Sequence, residues 1–328
     1  MERFEYASPV SRKEAVGLLA ETWGETEILA GGTDVLSRMK DYVSTPKRLV
    51  SLKRIKDLKG VHYAPGHGLR IGSMATLREI KVNTYVQRYY PALVDTANLI
   101  RSQQLHSMGT IGGSLLQRPR CWYYRLGYGL LAQYEGKSLP PEGDNRYHAI
   151  LGNSGPAYFT SPSTFAPILI ALEARVELLG PSGSRTIPLE KLFTTPTKTG
   201  EREHTLHPNE IVTEILVPPA GGIRSAVHEI RQKEGLDWAL TAAAVALHMK
   251  DNTVRSARVV LGQVAPVPWD SQEAAHALVG KTLSEQVAEA AGKAAVSEAT
   301  PLSMNGYKVQ LTRVAVKRAV LQAAKGGA

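Results

Sequence analysis

Leu29-Ala30-Gly31-Gly32-Thr33-Asp34 and, about eighty residues later, Thr110-Ile111-Gly112-Gly113-Ser114-Leu115 are the two stretches on which the reading of this chain turns. Each sets adjacent glycines and hydroxyls beside apolar residues, so consecutive backbone N–H groups are free to converge on an anion with no Cβ in the way. One Gly-Gly pair is an ordinary turn. Two of them framing one region predict a cofactor held between elements. Neither is a GxGxxG fingerprint, and no Gly-Lys-Ser/Thr phosphate loop occurs in the chain, which disfavours a nicotinamide-binding domain or an ATPase.

Around the first pair, Ile28-Leu29-Ala30 reads as a buried strand. Val35, Leu36 and Met39 follow at helical spacing up to Tyr42, and residues 48–52 resemble a second strand. This is a small βαβ-like unit, which places a ligand at the strand-to-helix turn. Ahead of it, Ser11 with Glu14 predicts a capped helix over residues 11–20; further on, Thr76 with Glu79 caps another that starts near Leu77. Tyr90-Pro91 opens a helix expected to run to about Gln103, just before the second pair. Residues 118–160 are rich in Tyr, Gly and Pro without periodicity and predict a long ordered loop.

The pattern returns with a helix from Phe165 and strands over residues 174–179 and 210–217, the latter ended by Pro218-Pro219. The domain boundary is expected at Pro218–Gly222. Residues 238–249 are almost wholly apolar and fit a helix or a strand equally; residues 254–261 read as a strand. Ala-rich helices capped by Ser271 and Ser284, and a last one over residues 314–323, complete a compact α+β domain with its helices on one face.

A chain of 328 residues implies two or three domains. The net charge of +9, from 39 Lys and Arg against 30 Asp and Glu, is scattered in short groups and accompanied by only four Phe, a poor fit to a nucleic-acid surface. No run of about 20 apolar residues is present to span a bilayer. The start lacks a secretory pattern, so a cytoplasmic location, or export inside a folded complex on a partner's signal, is expected. Cys121 is the single cysteine and supplies neither a disulfide nor a thiolate metal site. The nine histidines contain no HExxH pair, His204 and His207 read as a solvated turn, and no Gly-x-Ser-x-Gly elbow occurs. No catalytic or metal-ligating residue is therefore assigned. Asp34 has a plain reading as a helix N-cap. Arg118, Arg120 and Arg125 surround Cys121-Trp122-Tyr123-Tyr124, a basic and aromatic loop suited to a subunit contact or to stacking on a flat ligand.

Ordered markers run nearly end to end: Ala30 to Leu36; Gln104 to Arg118; Ser161 to Pro167; Arg231; Asp237 to Leu240; Leu261 to Trp269; and Gly306-Tyr307-Lys308. On them the chain resembles the FAD-binding medium subunit of molybdenum hydroxylases, the xanthine dehydrogenase and carbon monoxide dehydrogenase family, and especially the branch with periplasmic aldehyde oxidoreductase and 4-hydroxybenzoyl-CoA reductase. The resemblance implies an α+β fold. A two-part FAD-binding domain of the vanillyl-alcohol-oxidase type would span residues 1–57 and 58–220, the latter with the long loop 118–160. A smaller C-terminal domain with an antiparallel sheet and helices would occupy 221–328.

It further implies FAD contacts from Leu29, Ala30, Gly31, Gly32, Thr33, Asp34, Thr110, Gly112, Gly113 and Ser114. Thr164 stands where the family commonly has an aspartate, and Glu229 where a lysine is often found near the flavin. Either Glu229 alters the flavin's redox behaviour or occupancy, or its loop has shifted and it faces solvent. Where the branch inserts four cysteines for a [4Fe-4S] cluster, this loop keeps only Cys121, so no such cluster is expected here. The implied role is an electron-transfer flavoprotein with a small [2Fe-2S] subunit and a large molybdopterin subunit as partners, in a dimer of heterotrimers. A self-contained FAD oxidoreductase and a structural subunit that has lost FAD are the alternatives.

Overall fold

The computed structural model describes residues 1–326. Three sheets carry the chain. The first is parallel, with Arg48–Ser51 between Glu5–Ala7 and Thr26–Leu29. The helix Val35–Lys40 provides the crossover that parallel strands require. The expected βαβ unit is thus present, and the end of Thr26–Leu29 delivers the chain into the first Gly-Gly turn. Ser11 caps Arg12–Gly17 by accepting from the Glu14 amide at 3.2 Å.

The second sheet is antiparallel, in the order Val61–Ala64, Gly68–Gly72, Ile211–Val217, Arg175–Gly180, Gly183–Pro188. Its helices, Leu77–Val82, Pro91–Leu99 and Phe165–Ala171, bury Leu77, Ile80, Leu93, Phe165 and Leu169 in one core with Leu69, Ile71 and Val176 of the sheet. Thr76 and Glu79 form a reciprocal capping box at the start of the first of these helices. The helix expected to reach Gln103 instead ends at Leu99. A separate one, Gln103–Met108, starts where the Ser102 hydroxyl accepts from the Leu105 amide. Ser102 competes for the backbone as an N-cap and so breaks the run.

The third sheet pairs Ile223–Arg231, Ala239–Lys250, Thr253–Gly262 and Trp269–Asp270 antiparallel. Residues 239–250 are a strand, and the reason their sequence was ambiguous is visible in the packing. Ala243, Val245 and Leu247 face the core of the C-terminal helices, whereas Ala244 and Ala246 face the core of the second sheet and its helices. With both faces buried, the two-residue alternation in polarity disappears. The helices Gln272–Leu278, Glu285–Ala294 and Tyr307–Ala324 complete this part. Tyr90, buried, donates its hydroxyl to the Pro218 carbonyl at 2.8 Å and fixes the segment that leads into it. The loop 118–160 is not devoid of regular structure: it holds a helix at Trp122–Arg125 and a hairpin of Gln133–Tyr134 with Lys137–Ser138.

Helix Glu285–Ala294 approaches Tyr307–Ala324 so closely that a Cβ on Gly292 would stand 2.4 Å from the Arg313 carbonyl oxygen. Gly292→Ala is expected to cost about 1–3 kcal/mol through overpacking. Gly17→Ala, at a helical glycine with open space around it, should cost nothing. Urea denaturation of the two variants checks the contrast.

Candidate functional site: a cavity between the two glycine turns

A cavity of about 500 Å³ lies between the three sheets, within the range of small-molecule and cofactor sites. It is lined by both glycine turns, by Ser73 and Met74 after strand Gly68–Gly72, by Thr164, and by Glu229, Arg231 and Asp237–Ala239. Eleven of the twelve sequence-predicted site residues border it. The exception is Leu29, whose side chain is buried with Val35, Met39 and Leu49. It is the last residue of its strand, and its side chain belongs to the core.

The glycines serve different ends. A Cβ on Gly31 would stand 1.9 Å from the Met108 carbonyl oxygen, and one on Gly112 would meet Ser73 at 2.9 Å. These two glycines let backbone pack on backbone within the protein. Gly32 has φ +87°, the left-handed region in which glycine carries no penalty. A Cβ on Gly113 would meet the Thr110 hydroxyl at 3.0 Å, tighter than an ordinary contact, with Ala30 Cβ at 4.0 Å.

The backbone donors divide just as sharply. In the second turn they are spent: the amides of Ile111 and Gly112 donate to the carbonyls of Ala75 and Ser73, both at 2.9 Å. The Gly113 amide donates to the Thr110 hydroxyl and the Ser114 amide to the Thr110 carbonyl. The expected convergence of this turn's N–H groups on an anion is therefore not observed. In the first turn, no acceptor among the described residues takes the N–H of Gly31, Gly32, Thr33 or Asp34. Successive free amides around a left-handed glycine, here Gly32, can form a nest for an anion. The hydroxyls of Ser73 and Ser114 are buried beside it without a partner. Free amides, two orphaned hydroxyls and a cavity of this size fit a bound pyrophosphate-containing cofactor.

Asp34 stands at the N-cap position of Val35–Lys40 but does not cap it. Its carboxylate meets Arg120 and Arg125 at 2.9 Å and Arg38 at 3.3 Å, and accepts from the Arg118 amide at 3.1 Å. Burial would raise this carboxyl, but Arg120, Arg125 and Arg38 outweigh it and hold it below the usual carboxylate range. Arg38 is also bidentate to Glu27 at 3.0 and 3.1 Å, and Arg118 pairs with Glu203. Four guanidinium groups thus face three carboxylates, leaving one positive charge in excess at the anion's end of the cavity. Burial lowers Arg120 to about 10 in spite of Asp34; the group remains charged at neutral pH.

The arginines of the long loop accordingly turn inward. Arg118 and Arg125 lie over the Tyr124 ring and Arg120 over Trp238 at 4.5 Å, so they are not the free basic face of a subunit contact. The Glu229 side chain is buried, at odds with a solvent-facing loop. Its carboxylate is paired with Arg231 at 2.6 Å, and Arg231 is anchored on the Leu99 carbonyl at 2.5 Å. Burial pushes the Glu229 carboxyl up while Arg231 opposes the shift. Ser163, rather than Thr164, accepts the first free amide of Phe165–Ala171, from Ala166 at 3.1 Å, which leaves Thr164 at the cavity wall. His204 also lines the cavity, 3.3 Å from the Leu115 carbonyl, and is not in a solvated turn.

Ser73, Glu27 and Arg38 were not singled out from the sequence. Only Arg38 carries a local signal, its i,i+4 spacing from Asp34. Replacement of Asp34 by Asn would leave three guanidiniums short of their shared anion. Asp34→Asn is expected to lower stability by about 3 kcal/mol, read as a fall in the urea midpoint.

Residues 2–220 match the family described as FAD binding domain in molybdopterin dehydrogenase, and residues 225–323 the CO dehydrogenase flavoprotein C-terminal domain. The carbon monoxide dehydrogenase medium chain of Hydrogenophaga pseudoflava is 31% identical, over 97% of this chain and 96% of its own. The aldehyde oxidoreductase FAD-binding subunit PaoB of Escherichia coli is 31% identical, over 95% and 96%. Among solved structures, carbon monoxide dehydrogenase from Hydrogenophaga pseudoflava superposes with a TM-score of 0.78 at 29% identity, covering 100% of this chain and 99% of that one. With this end-to-end match, the chain belongs to the family of FAD-binding medium subunits of molybdopterin dehydrogenases.

Proposed function

We propose that this chain binds FAD with the pyrophosphate against the free amides of Gly31, Gly32, Thr33 and Asp34, and serves as the electron-transfer flavoprotein of a molybdenum-containing oxidoreductase complex. The observation that carries the reading is the set of unpartnered amides beside the orphaned hydroxyls of Ser73 and Ser114. When bound, FAD supplies the capacity to take up two electrons and pass them singly or together to an acceptor.

The chain's own residues bind and orient. Thr110, Gly112 and Ser114 of the second turn line the cavity together with Ala30, Thr164 and Glu229. Arg231 compensates the charge of Glu229, so the carboxylate at that position adds no net repulsion toward an electron-rich cofactor. This weighs against a scaffold that has lost FAD. No acid–base constellation is invoked. Substrate chemistry is assigned to a large molybdopterin subunit, and electron supply to a small iron–sulfur subunit, in line with the carbon monoxide dehydrogenase relatives. Residues 1–57, 58–220 and 221–328 are the units proposed to carry the cofactor and its cover. No described helix is long and apolar enough to cross a membrane, and a cytoplasmic location is proposed.

The purified chain is expected to take up one FAD, read from flavin absorbance after gel filtration, with no stoichiometric iron. Ser73→Ala combined with Ser114→Ala should weaken FAD binding about tenfold, the worth of two modest hydrogen bonds. A folded chain that takes up no flavin would overturn the proposal.

A further inference from the structure

Strand Thr26–Leu29 is the outer strand of the parallel sheet and pairs there only with Arg48–Ser51. The carbonyl of Glu25 accepts from the amides of Lys47 and Arg48 at 2.9 and 3.2 Å, and that of Leu29 from the Leu52 amide at 3.0 Å. Glu25, Glu27 and Leu29 therefore turn their main-chain groups toward the neighbouring strand, and Ile28, between the last two, turns its N–H and C=O the other way. That direction is the free edge of the sheet. No turn or loop among the described residues supplies either group with a partner.

The cofactor cavity runs along this edge: Trp23, Thr26, Glu27, Ile28, Ala30 and Gly31 all border it. The Ile28 side chain packs against the core that holds Val50 and Leu52. Its main chain offers a ligand one donor and one acceptor side by side. Ile28 precedes Gly31 by three residues, about 10 Å of extended chain. That is the reach of a nucleoside from the pairing edge of its base to its 5′-phosphate, and it is too short for a flavin ring on its ribityl chain.

The edge begins at a flat cation. Trp23 folds back to bridge with Thr26, and the Arg202 guanidinium lies over the Trp23 ring at 4.6 Å. Arg202 borders the cavity, and its side chain has neither a carboxylate partner nor a hydrogen bond among the described residues. A guanidinium stacked on an indole through one face has its other face for a second ring.

We propose that the free edge of strand Thr26–Leu29 reads an adenine base: the Ile28 N–H donates to N1, the Ile28 C=O accepts from the 6-amino group, and the ring lies on the Arg202 guanidinium. The proposal rests on the reading of the cavity as an FAD site and assigns the adenine half of that cofactor to this strand. Free adenine nucleotides carry the same chemistry and compete for the edge. Selection is by pattern, since hypoxanthine has the donor and the acceptor of adenine exchanged and leaves both Ile28 groups facing their like.

The test titrates the full chain, cleared of flavin, with ADP, IDP and FMN by calorimetry and follows hydrogen exchange at the Ile28 amide. ADP should bind about tenfold or more tighter than IDP, and should protect the Ile28 amide, which FMN should leave exchanging. Ile28→Pro withdraws an N–H that no ladder bond uses, the one setting in which an edge strand accepts proline, and should weaken ADP about tenfold. Arg202→Ala should weaken ADP and IDP alike, by about fivefold. ADP that binds no tighter than IDP, or binds without protecting Ile28, overturns the proposal even where the chain takes up FAD. A chain that refuses FAD but binds ADP with Ile28 protected overturns the flavin reading and leaves the adenine site standing. Should Ile28→Pro fail to fold, the comparison of ADP with IDP in the unaltered chain decides.

Discussion

The contact of Gly31 with the carbonyl of Met108 is the constraint on which the rest of the site depends. Where any other residue would place a Cβ, the backbone at the end of helix Gln103–Met108 already stands. The seam presses the first turn, which issues from the parallel sheet, against the second, which is tied through Ala75 and Ser73 to the antiparallel one. The two sheets also share a core, in which Val50 and Leu52 pack with Met74 and Ile211, and the space left between the turns becomes the cavity. The division of labour follows from the same seam. The second turn uses its amides to hold itself to Ser73 and Ala75, so the first turn alone has amides to offer.

Charge is organised around this frame rather than along the surface. Asp34 draws Arg38 from its own helix and Arg120 and Arg125 from a loop more than eighty positions away, and the loop is folded over the cavity as a result. Surface ion pairs of this kind would be worth little. Here the partners are mostly buried and share one acceptor, so the loss of that acceptor strands several charges at once. On another wall of the cavity Glu229 and Arg231 pair with each other.

Local chemistry was legible in the sequence; long-range pairing was not. Ser11, Thr76, Ser271 and Ser284 all cap the helices their spacing predicted, because a cap is decided within four residues. The two Gly-Gly pairs marked the cavity, yet what each glycine does depends on neighbours such as Met108 and Ser73, which no local pattern names. Asp34 read as an N-cap because its arginine partners lie far along the chain. Residues 239–250 fitted helix and strand equally because both faces are buried. Cys121 Sγ lies 3.2 Å from His148 Nε2 across a stretch of irregular loop, and the pairing left no trace in spacing. The resemblance to the flavoprotein family reached the fold and the cofactor class.

Hydrogen–deuterium exchange of the chain with and without FAD, read at single-amide resolution, tests the central claim most directly. The amides of Gly31, Gly32, Thr33 and Asp34 should exchange freely without FAD and become protected on its addition, while those of Gly112, Gly113 and Ser114 should be protected in both states. Protection gained by the second turn, with the first unchanged, would contradict the account.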